Sequence, residues 1–92
     1  EVSTGTLEFR FGGTTITGSV TSSGTGVVDF NTGTHNLGVS STVTGQDIRF
    51  NGANTATVSG AFTAVNTTIN KNVDFNNGVR TLQNVTFQNF TL

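Results

Sequence analysis

The chain has 92 residues, four basic and five acidic side chains, no cysteine and 33% hydrophobic residues. One domain of modest core follows; disulfides and thiolate chemistry are excluded, and a net charge of −1 gives no footprint for nucleic acid or an anionic membrane. No apolar run approaches the ~18 residues that cross a bilayer as a helix, so membrane insertion is not expected.

The abundant residues are Thr, Val and Phe, which favour strands, and Gly, Asn and Ser, which favour tight turns. No window carries a helical stripe, so the chain reads as all-β. The first strand is marked by Leu7-Glu8-Phe9, the next by Val28-Asp29-Phe30, then Ile48-Arg49-Phe50 and Val73-Asp74-Phe75. All share the form apolar, charged, Phe, and the Phe residues are 21, 20 and 25 positions apart. Asn31, Asn51 and Asn76 follow three of them, with a glycine soon after each. A second strand is expected around Ile16, Leu37, Val58 and Leu82. A third, less regular cluster comprises Val20, then Val39 and Val43, then Phe62 and Val65, then Val85 and Phe87.

Self-similarity at this period marks a solenoid. The expected fold is a short parallel β-solenoid of about four coils, with a period of about 20–25 residues and coils at 6–26, 27–47, 48–72 and 73–92. Alternation along each strand turns Phe9, Phe30, Phe50 and Phe75 inward as an aromatic ladder. It turns Glu8, Asp29, Arg49 and Asp74 outward as a charged column. Asn31, Asn51 and Asn76 form an expected amide ladder at one corner, since an inward amide donates to one coil and accepts from the next. The extra residues at 67–72 are expected to bulge as a loop.

The runs Val28-Asp29-Phe30-Asn31-Thr32-Gly33, Ile48-Arg49-Phe50-Asn51-Gly52 and Val73-Asp74-Phe75-Asn76-Asn77-Gly78 resemble coils of right-handed parallel β-helices. Such coils occur in bacterial surface proteins of the autotransporter-passenger and filamentous-haemagglutinin type. The resemblance implies an extracellular or cell-surface location and a structural or adhesive role.

Chemistry is sparse. The single histidine, His35, has no acid near it in sequence except Asp29, and the five acids are spread over separate coils, so no triad or carboxylate pair is expected to converge. A calcium site at Glu8 and Asp29 lacks the six to eight oxygens that calcium takes. No enzyme activity, cofactor or metal is expected. Thr-x-Thr pairs invite an ice-binding reading, but the register that aligns Thr15/Thr17 with Asn36/Gly38, Thr57/Ser59 and Thr81/Gln83 breaks the ladder at the second coil.

A short solenoid exposes unpaired backbone and apolar cross-section at both ends. No helix or charge cluster after Arg80 offers a cap. The leading expectation is therefore a structural subunit that stacks end to end on identical copies in an extracellular filament or surface fibre. Val2, Leu7, Phe9 and Phe11 would meet Val85, Phe87, Phe90 and Leu92. The alternative is a segment of a surface adhesin that binds glycan or host protein through a lateral face. A strand-donating β-sandwich pilin is a third option, which the even Phe spacing disfavours.

Overall fold

The computed structural model describes residues 1–10, 15–52, 55–76 and 80–88. Phe11, Phe90 and Leu92, named above as contact residues, lie outside that set. The described residues contain no helix, and every strand pairing among them is parallel. The chain winds as a β-solenoid of about four turns, with three strand runs per coil.

Run A stacks β1 (Thr6–Phe9), β4 (Val27–Phe30), the second halves of β6 (Thr42–Phe50) and β8 (Ala61–Ile69), and β11 (Val85–Phe87). Run B stacks β2 (Thr15–Ile16), β5 (His35–Leu37), β7 (Thr55–Val58) and β9 (Asn72–Phe75). Run C stacks β3 (Ser19–Thr21), the first halves of β6 and β8, and β10 (Arg80–Leu82). In the middle coils runs C and A are one nine-residue strand bent at a corner.

The bend has a visible cause. Along β6, Val43 and Gly45 are buried, then Gln46 is exposed and Asp47 half-buried before Ile48 turns inward again. Two outward residues in succession reset the alternation, and β8 does the same at Val65-Asn66. The buried Ser22 hydroxyl supports the corner by accepting from the backbone N–H groups of Gln46 (3.0 Å) and Asp47 (3.5 Å). Gly45 suits this corner because a Cβ would press on the Ser22 Oγ and lie 2.6 Å from Ile48 Cδ1.

The inward columns form one core. Val28, Phe30, Ile48, Phe50, Phe62 and Leu37 are fully buried. Phe9 stacks on Phe30 (5.1 Å, 12°) and Phe30 on Phe50 (5.3 Å, 17°). Offset pairs of this kind contribute ~0.5–1.5 kcal/mol each beyond the area they bury.

The fourth rung corrects the sequence reading. Phe50 is paired with Ile69, not with a Phe, and Val73-Asp74-Phe75 belongs to run B, opposite Ala56-Thr57-Val58. Phe75 reaches the aromatic cluster from the facing sheet, edge-on to Phe50 (6.3 Å, 87°) and to Phe62 (5.3 Å, 71°). The run A rungs are therefore Leu7-Glu8-Phe9, Val28-Asp29-Phe30, Ile48-Arg49-Phe50, Thr67-Thr68-Ile69 and Val85-Thr86-Phe87. Residues 67–69, expected as a bulging loop, are a ladder strand, and the third coil closes near residue 65 rather than 72. Leu82 likewise moves from run B to run C, where it pairs with Ala64. Val39 is 73% exposed and takes no part in the core.

Candidate functional site

The two ends of the solenoid differ from its middle. At the first rung, β1 pairs only with β4, and Leu7 is 40% exposed on the open side. Val2 lies half-buried beside it, held to run C by an isolated parallel bridge to Ser22. At the last rung, Val85 is 38% and Phe87 56% exposed. Ile69, Val73, Phe75 and Leu82 join these two in an open groove of about 470 Å³, with Lys71 and Asn72 at its polar edge. Of the expected contact residues, Val2, Leu7 and Phe9 thus gather at one end, and Val85 and Phe87 at the other.

Charge is unevenly placed between these ends. Glu1 and Glu8 stand at the first coil against Arg10, which pairs with Glu8. Lys71 and Arg80 stand in the fourth coil against Asp74. Lys71 is buried, and its Nζ crosses the third coil to donate to the Gly33 carbonyl (3.3 Å). Burial pulls its ammonium below the ordinary lysine range, and the charge of Asp29 offsets part of that shift. Nothing in the sequence pattern flagged this lysine; a charged residue in a two-residue corner, 70–71, was the available signal.

The outward column on run A reads Glu8, Asp29, Arg49, Thr68, so Asp74 does not belong to it. Arg49 forks onto Asp47 two residues back on its own strand, with both bonds at 3.0 Å. That hydrogen bond chiefly holds the guanidinium above its usual pKa, against the opposing effect of burial. The amide ladder is also re-drawn. Asn70, not Asn76, follows Asn51 in register, donating to the Asn51 Oδ1 (3.4 Å) while Asn51 donates to the Asp29 carboxylate (2.9 Å). The Asn31 Oδ1 instead accepts from the N–H of the next residue, Thr32 (2.9 Å). Asn76 sits at the corner after β9 and accepts from the Ser59 hydroxyl (2.8 Å).

His35 is 2% exposed, its Nε2 2.6 Å from the Asn31 carbonyl and its ring edge-on to Phe30 (5.7 Å). That is the environment of a structural histidine. Among the described residues no three His, Cys, Asp or Glu side chains come together as metal ligands do.

The threonine alignment expected from sequence holds for Thr15, Asn36 and Thr57, with its break at Asn36, and fails only at the fourth rung, where Asp74 stands in place of Thr81. Thr15, Asn36, Thr57 and Asp74 share one outward column of run B. On run C, by contrast, Thr21, Thr44, Thr63 and Thr81 are in register over four coils, beside Ser19, Thr42 and Ala61.

No protein-family model, curated protein or solved structure matches this chain. The β-solenoid therefore stands on its own geometry.

Proposed function

We propose that this chain is a structural subunit that stacks head to tail on identical copies, forming a filament or surface fibre. The observation that carries the reading is a match between the ends: Val85-Thr86-Phe87 repeats the apolar-polar-Phe form of Leu7-Glu8-Phe9 on the same run. Stacking one copy on the next extends the parallel ladder, lays Phe87 over the neighbour's Phe9, and buries side chains that are half-exposed in the single chain. The Glu-bearing first coil meets the Lys- and Arg-bearing fourth, which favours this order over end-to-end inversion. A head-to-tail contact of this kind does not close, so it propagates. The role is mechanical rather than enzymatic and calls for no cofactor. The coil sequences that resemble autotransporter-passenger and filamentous-haemagglutinin repeats support an extracellular or cell-surface setting.

The test is negative-stain electron microscopy with sedimentation over a concentration series, on the native chain and on Phe87→Asp. Fibres from the native chain, shortened or lost in Phe87→Asp with the far-UV spectrum unchanged, are the expected result. Discrete ~10 kDa particles at every concentration would sink the filament. Recognition of glycan or host protein through a lateral face, as in an adhesin segment, would then be the better reading.

A further inference from the structure

The lateral face of run C carries a second, independent property. Its outward positions in register are Ser19, Thr42 and Ala61 in one column and Thr21, Thr44, Thr63 and Thr81 in the next. Adjacent rungs of a parallel sheet lie about 4.8 Å apart, and side chains two apart on a strand about 6.6 Å, so these positions repeat in two directions across the face. Thr42, Thr44, Thr63 and Thr81 are exposed. Among the described residues, the hydroxyls of Thr42, Thr44 and Thr63 enter no hydrogen bond within the protein, whereas the Thr15 hydroxyl on run B is occupied by Asn36 (3.0 Å).

From this we infer that run C binds ice. Three features select that occupant. Neither column contains a charged residue, while run A carries Glu8, Asp29, Asp47 and Arg49, so the face complements a neutral surface and would repel neither sign. β-Branched threonine has few χ1 states, and the sheet fixes its Cα positions, so the net of methyls and free hydroxyls is set before contact. Its two repeats are on the scale of the oxygen spacings in ice planes. A sugar chain is the rival neutral occupant, but sugars are held by aromatic platforms and forked polar side chains. No outward position of these two columns supplies either. The inference does not rest on end-to-end assembly, although stacked copies would lengthen both columns and multiply weak contacts.

The experiment is incorporation into a slowly growing polycrystalline ice front, for the native chain, Thr44→Lys and Asp74→Lys, with circular dichroism confirming the fold of each. The native chain and Asp74→Lys, altered on run B, should be taken into the ice, and Thr44→Lys left in the liquid. Exclusion of the native chain would overturn the inference. So would equal uptake of native chain and Thr44→Lys, which would place any ice contact elsewhere. A parallel arm measures depletion onto insoluble cellulose and chitin. Binding there that is lost in Thr44→Lys, without ice uptake, would make the face a glycan site instead.

Discussion

The middle and the ends of this solenoid are built from the same rung but stand in different environments. In the second and third coils Val28, Phe30, Ile48 and Phe50 are fully buried, each between a rung above and a rung below. At the ends the equivalent Leu7, Val85 and Phe87 keep 40%, 38% and 56% of their surface exposed. Sequence alone does not separate a core Phe from a surface Phe here. The number of neighbouring coils does, as expected where each repeat touches only its neighbours.

The sharpest way to break the comparison is to truncate the same side chain at both places. Phe50→Ala removes a ring that touches Phe30, Phe62 and Phe75 and should cost about 3–5 kcal/mol, enough to unfold much of a small domain. Phe87→Ala should cost about 1 kcal/mol or less, because its ring is already more than half in water. Urea denaturation of dilute monomer measures both. Equal losses would mean that the last rung is part of the cooperative core.

A second contrast tests close approach at the bent corner. Gly45→Ala drives a methyl onto the Ser22 hydroxyl and Ile48, and overpacking of this sort costs about 1–3 kcal/mol. At Gly18 an added Cβ meets nothing within 4 Å, so Gly18→Ala should be close to neutral. A shift in urea midpoint for the first and none for the second is the expected outcome. A neutral Gly45→Ala would show that the corner relaxes.

How much of this was legible follows from the same rungs. The solenoid and its first three run A rungs could be read because Leu7-Glu8-Phe9, Val28-Asp29-Phe30 and Ile48-Arg49-Phe50 repeat with near-constant spacing. The fourth could not, since Thr67-Thr68-Ile69 has neither charge nor aromatic, while Val73-Asp74-Phe75 on run B imitates the motif. Every run of a solenoid obeys the same inside-outside alternation, so the pattern shows which way a residue points but not which wall it belongs to. The deciding quantity is corner length, which drops from four residues at 31–34 to two at 70–71. The same slip displaced Asn76 and Asp74 from their expected ladders and set Thr81 on run B, away from Thr63. Arg49 keeps its expected place in the outward column, but its guanidinium forks along the strand onto Asp47, two residues away on the same face, which the column pattern does not show.

The misread rung also carries the one expected gain in stability. Thr67 occupies the column of Val28 and Ile48, is 0% exposed, and its Oγ1 has no hydrogen-bond partner among the described residues. A buried hydroxyl left unpaired forfeits its bond to water, at about 1–3 kcal/mol. Val has nearly the same shape and the same β-branched preference for strands. Thr67→Val should therefore stabilise the fold by about 1 kcal/mol, read as a higher urea midpoint at unchanged slope. The gain should appear with Phe87 present or truncated, because Thr67 lies between Ile48 and Val85 rather than at the open face. A loss of stability instead would mean that the hydroxyl is satisfied by a water held inside the coil, and that the fourth rung is a polar joint in the core.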